Sequence, residues 1–227
     1  MKSECRVAKS FILNAVKNKY SASDEYIEAV VEAMFFGRPY DSYGAEQELV
    51  SDLERQSRTF RILRGLDQYS PAFSDLSNPI AEIHMLVSGV NSEHSARSTR
   101  FVEDFGGIVP TSVDEISIRL DELERIVVAL SKTEPQADTA KATLLAHVFS
   151  SIIRVHPFED GNGRVARFIV LYLLTCWKTD PIMIPKVRND QVWRNALDSA
   201  IKGDAQELAK VFLSELASQE AKMRESK

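Results

Sequence analysis

Apolar residues recur along most of this chain at three- and four-residue intervals with charged residues between them, the spacing of helices that bury one face. Residues 4–17 are weakly amphipathic. Ser21-Ala22-Ser23-Asp24 resembles a capping box ahead of Tyr26 and Ile27, and the helix it opens runs on through Ala29–Phe36 until Gly37-Arg38-Pro39 stops it. Over 42–66, Leu49, Leu53, Phe60 and Leu63 form a stripe among helix-forming charged residues. Residues 65–78 are turn-rich. Asn78-Pro79 then supplies an N-cap and a proline at the first helical position, with Ile80, Ile83, Leu86 and Val87 on one face behind it.

The rhythm breaks over 91–110. Phe101-Val102 and Ile108-Val109 are short β-like runs around Gly106-Gly107, which predicts a small hairpin. Ser112 with Glu115 forms another capping box, and Ile116, Leu120, Leu123, Val127 and Leu130 keep the helical period behind it. Residues 133–138 read as a loop. From Thr143 to Val155 a wide stripe includes Leu145, Phe149 and Ile152. Val165–Trp177 is apolar nearly all round, which predicts a central buried helix. Residues 190–201 form a helix stopped by Gly203, and Asp204 with Glu207 caps a last one through Leu216. The tail from Ser218 is polar and is expected to fray. Strand signals are this scarce, so the fold class is all-α: a helical bundle with one small β-hairpin.

Composition narrows the partners. At 227 residues the chain can bury a substantial core, as one large domain or a domain with an appended segment. The net charge is −5 and no Lys/Arg tract stands out, which argues against nucleic acid held by phosphate neutralisation. Cys5 and Cys176 are too few for a disulfide framework or a zinc site and read as reduced thiols. The longest apolar run, Phe168–Leu174, is far too short to cross a bilayer, and no signal-length apolar segment opens the chain. The expectation is a cytoplasmic protein with no membrane partner.

The chemistry concentrates in the loop between the helices ending at Val155 and starting at Val165. Gly161 and Gly163 can take positive φ and let a ligand approach the backbone. Just before a helix, such residues aim several N–H groups into a concavity that the helix N-terminus makes positive, an anion site suited to phosphates. Arg164 and Arg167, three apart, project on one side, and guanidinium groups bind phosphate bidentately. Asp160 belongs beside phosphates only if a cation lies between them, and Mg²⁺ is commonly held by one or two carboxylates plus substrate phosphates. His156, with a pKa near neutrality, is the candidate general base. Taken singly, each residue has an ordinary structural explanation; the joint occurrence points to nucleotide-dependent transfer. His147 reads as a packing residue, and His84 and His94 as incidental.

Residues 156–167 match, position for position, the HxFx(D/E)GNGRxxR signature of the Fic family, and the chain resembles that family over roughly 80–200. Fic proteins are mostly helical and commonly move AMP from ATP onto a hydroxyl side chain of a target protein. The resemblance implies that His156 takes the proton from a Ser, Thr or Tyr hydroxyl and that Phe158 anchors the loop. Asp160 would hold Mg²⁺ on the α- and β-phosphates, and Asn162 would help hold the α-phosphate. Gly161 and Gly163 would cradle the phosphates through their N–H groups, and Arg164 and Arg167 would neutralise the rest, Arg167 at the γ-phosphate. Phe101–Val109 resembles, in shorter form, the hairpin flap that aligns targets by strand addition.

Many relatives inhibit themselves with a helix bearing (S/T)xxxE(G/N), whose glutamate pairs with the second motif arginine. Ser42-Tyr43-Gly44-Ala45-Glu46-Gln47 is the nearest match, departing at Gln47, and Gly44 weakens a helix there. Glu46 is thus the candidate brake on Arg167; the alternative is an ordinary exposed side chain. The expected layout is an N-terminal, partly regulatory helical region (1–78), a catalytic domain (79–217) and a polar tail (218–227). Expected partners are a hydroxyl-bearing target protein, a small antitoxin-like inhibitor and a second copy in a homodimer. Rival readings are transfer of another phosphate-containing group, removal of AMP, or a toxin silenced by a separate antitoxin. Gly161 argues against the kinase-like relatives, which carry lysine there.

Overall fold

A computed structural model of the chain describes residues 2–16, 22–36, 47–64, 66, 76–89, 111–182, 184 and 191–225. The hairpin expected at 101–109, His94 and the candidate brake Glu46 lie outside these residues. The described residues contain nine α-helices and no β-strand, the helical bundle that the apolar spacing predicts. These are α1 (Lys2–Val16), α2 (Asp24–Phe35), α3 (Gln47–Leu63), α4 (Pro79–Ser88), α5 (Val113–Ser131), α6 (Asp138–Val155), α7 (Asn162–Cys176), α8 (Gln191–Ile201) and α9 (Gln206–Glu225). None of them is long and apolar enough to cross a membrane.

One apolar core runs from α1 to α9, and α7 is its axis. The unbroken run Phe168 to Leu174 is buried on every side, against α3, α4, α5 and α6. A helix surrounded this way is apolar all round because every face must leave water. Phe11 of α1 meets Phe168 edge-on at 4.8 Å. Phe149, Trp193 and Phe212 lock α6, α8 and α9 together in a triangle of rings with centroids 5.4, 5.7 and 6.1 Å apart.

Helix starts follow the sequence signals unevenly. Ser23 caps α2, its Oγ accepting the Tyr26 N–H at 3.2 Å. α4 starts at Pro79, yet the Asn78 side chain makes no capping bond. The cap comes from another helix: Glu124 of α5 accepts the N–H groups of Ile80 at 2.9 Å and Ala81 at 2.8 Å. Burial pushes Glu124 up to about 7, against the downward pull of those two N–H groups. Ser112 precedes α5 without a side-chain capping bond either. α6 begins at Asp138 rather than Thr143, because its polar first turn carries no apolar stripe to announce it. α9 continues to Glu225, past the fraying expected from Ser218, on good helix formers.

Candidate active site

The loop 156–161 is built by ending one buried helix and starting another. α6 closes on His156, whose N–H donates to the Ile152 carbonyl at 2.9 Å while its backbone turns left-handed, φ 49° and ψ 57°. Pro157 cannot extend the helix. Left-handed backbone costs a non-glycine residue about 1–2 kcal/mol, so the surroundings hold it there. Phe158 then plugs into the core, 1% exposed. Asn162 clamps it: Oδ1 accepts the Phe158 N–H at 3.0 Å and Nδ2 donates to the Phe158 carbonyl at 2.7 Å. The Asn162 side chain, expected at a phosphate, is therefore bonded both ways to its own loop. Gly161 sits at φ 87°, which only glycine adopts freely. Gly163 does not take positive φ; it is helical, and it makes room, since a Cβ there would lie 3.4 Å from Arg167 Nη1.

The charges converge on the first turns of α7. That end carries no acidic residue, so its free N–H groups stay positive. Arg164 donates from Nη2 to Asp160 Oδ2 at 2.8 Å and from Nη1 to Asp52 Oδ1 at 2.9 Å. The two carboxylates differ sharply, since Asp160 is 80% exposed and Asp52 of α3 only 1%. Arg55 also donates to Asp52 Oδ1, at 3.1 Å. Arg167 is buried, donates from Nη1 to the Gly163 carbonyl at 2.9 Å, and makes no ion pair among the described residues. Among the described residues its Nε is buried without a partner, and burial lowers its pKa to about 10.

Two residues outside the motif help build the site, and neither was picked out from the sequence. Asp52 stands on the buried face of α3 beside Leu49 and Leu53, and a carboxylate inside an apolar stripe is the signal that marks it. His84, expected to be incidental, is 3% exposed and stacks on Phe158, ring centroids 3.7 Å apart and planes 10° apart. Its Nε2 lies 3.2 Å from the Asp160 carbonyl oxygen. Burial lowers its pKa, with Arg164 adding to the effect. His147, expected to pack, is exposed.

Among the described residues no cluster of His, Cys, Asp or Glu could hold a metal alone. A single exposed carboxylate fits Mg²⁺ instead, which keeps several waters and takes phosphate oxygens as further ligands. Beside the site, a cleft of about 660 Å³ opens between α5 and the end of α6, lined by Thr111, Arg119, Ile126, Arg154 and Val155 among others. It ends one residue before His156. The Thr111 N–H donates to the Arg154 carbonyl at 3.4 Å and fastens its floor.

The chain belongs to the Fic/DOC family, whose pattern matches residues 21–174. The match reaches into the N-terminal helices, well before the residue-80 boundary expected from the motif. Among relatives, the protein adenylyltransferase Fic of Drosophila persimilis is 27% identical over 126 residues, 55% of this chain and 24% of that protein. The ribonucleoside-diphosphate reductase small chain of Ostreid herpesvirus 1 is 25% identical over 163 residues, 69% of this chain and 27% of that one. The chain thus spans about a quarter of the length of these relatives. The fold is similar to a Fic domain-containing signalling protein from Bacteroides thetaiotaomicron, with TM-score 0.70, 16% identity, and 93% of this chain and 83% of that one covered. It is also similar to Fic-1 from C. elegans, with TM-score 0.67, 16% identity, and 96% and 62% covered.

Proposed function

We propose that this chain is a Fic-type transferase, and specifically a protein adenylyltransferase moving AMP from ATP to a Ser, Thr or Tyr hydroxyl of a target protein. The observation that carries the reading is the company kept at one end of α7. A histidine, an exposed carboxylate, a positive helix end and two arginines converge there, and one arginine is buried and makes no ion pair among the described residues. Relatives named protein adenylyltransferase support the transferase class.

In this reading the hydroxyl oxygen attacks the α-phosphorus, its proton passes to His156, and the bond to the β-phosphate breaks to release pyrophosphate. The N–H groups at the start of α7 hold phosphate oxygens. Arg164 exchanges the exposed Asp160 for phosphate while keeping Asp52, and Arg167 neutralises the end of the chain. Asp160 would hold Mg²⁺, which would supply positive charge to offset that of the leaving group. The adjoining cleft gives the target segment its approach.

The test is purified protein with Mg²⁺ and ATP labelled separately at the α- and γ-phosphate, read as label on protein. Label from the α-position alone is expected. Label from the γ-position alone means phosphoryl transfer and sinks the reading. Label absent in the wild type but present in Glu46→Gly identifies Glu46 as the brake; silence in both shifts the weight to an antitoxin-like partner or another donor.

A further inference from the structure

His84 belongs to α4, and it touches the motif loop in three places. Its ring lies flat on Phe158, its Nε2 approaches the Asp160 carbonyl, and its Cδ2 and Nε2 lie 3.6 and 3.7 Å from where a Cβ on Gly161 would stand. A carbonyl oxygen only accepts, so Nε2 carries the hydrogen. Nδ1 is buried and has no partner among the described residues. The ring therefore sits as the neutral Nε2–H tautomer, a flat apolar plate with one donor at its edge.

We propose that His84 is a positioning residue for the transfer. It fixes the peptide between Asp160 and Gly161, so that the Asp160 carboxylate stays aimed at the metal. Packing alone does not call for histidine here: a phenylalanine would fill the space and stack as well. What histidine adds is the donor, and the acceptor it chooses, 76 residues away, is the backbone of the loop's exposed carboxylate residue. Among the described residues the Asp160 side chain is tied only through Arg164, and it is 80% exposed. His84 touches neither substrate nor reacting atoms; it acts through the loop, as supporting hydrogen bonds orient metal ligands elsewhere.

This inference rests on the nucleotide-transfer reading, so its test uses binding as well as turnover. His84→Phe keeps the stack and removes the donor; His84→Gln restores a donor near Nε2 and gives up the stack. For the wild type and both variants, calorimetry measures affinity for ATP with Mg²⁺ and with EDTA, beside the melting temperature and α-label transfer. We expect His84→Phe to lose about tenfold in Mg²⁺–ATP affinity, the worth of one buried hydrogen bond, with little change in EDTA. His84→Gln should recover most of that loss even if it melts lower. Equal losses with and without Mg²⁺, or a His84→Gln variant no better than His84→Phe at matched melting temperature, would overturn the proposal. If the affinity pattern appears but the label is not AMP, the positioning role stands and the transfer reading falls. If AMP is transferred and the pattern is absent, the reverse holds.

Discussion

Asp52 and Arg164 stand 112 residues apart in sequence and 2.9 Å apart in the fold. The carboxylate is 1% exposed and the guanidinium 12%, so this is a buried pair joining α3 to the first turn of α7. Because Arg55 shares the same oxygen, Asp52 is what keeps two arginines from repelling each other. Breaking such a pair leaves Arg55 and Arg164 without the buried carboxylate they share, and Arg164 with only the exposed Asp160. Asp52→Ala should destabilise the protein by about 3–5 kcal/mol, and Asp52→Ala with Arg164→Met by less than the sum of the two. Urea unfolding with an unchanged slope checks both; a loss under 1 kcal/mol for Asp52→Ala would show that the pair is not structural.

In the proposed reading, His156→Ala removes the base and nothing that binds phosphate. AMP transfer should fall below detection while Mg²⁺–ATP affinity stays within about twofold, as expected for an interaction made only in the transition state. Transfer persisting at a tenth of the wild-type rate would take His156 out of the mechanism.

Asn162→Ala strips the clamp from Phe158 and leaves a backbone N–H and a carbonyl buried without partners. At about 1–3 kcal/mol for each unsatisfied group, the cost should reach roughly 2–6 kcal/mol. Hydrogen exchange at the Phe158 amide should quicken ahead of global unfolding. Unaltered protection there would mean that the loop is held by Phe158 packing alone.

Glu124 carries a pH signature. Its folded-state pKa is raised from 4.5 to about 7, so between those values the folded protein holds a proton that the unfolded chain has released. Stability from this group is therefore fully present below about pH 4.5 and is lost as pH rises through 7. Relative to Glu124→Gln, the wild type should lose roughly 1–3 kcal/mol between pH 5 and pH 8. Chemical denaturation of both proteins at the two pH values measures the difference, and parallel pH profiles would contradict it.

What could be read in advance follows from range in sequence. The motif is contiguous, its flanking helices are strongly periodic, and α7 is apolar all round; local pattern suffices for all three. Asp52, His84 and Glu124 answer to partners 112, 76 and 44 residues away, and no window of sequence holds both ends of such a contact. The N-cap of α4 shows the competition directly. Asn78 has the right chemistry in the right place, and a carboxylate from α5 takes its N–H groups instead. Gly163 looked interchangeable with Gly161 because composition does not distinguish a helical glycine from a left-handed one.

With His156 as the proposed base, its left-handed backbone sets chemistry and folding against each other. Glycine relieves that conformation outright, and asparagine tolerates it better than histidine does. His156→Gly should thus be inert yet at least as hard to melt as the wild type. Selection for a stable fold alone would let position 156 drift away from histidine, and only a continuing demand for turnover would hold it there.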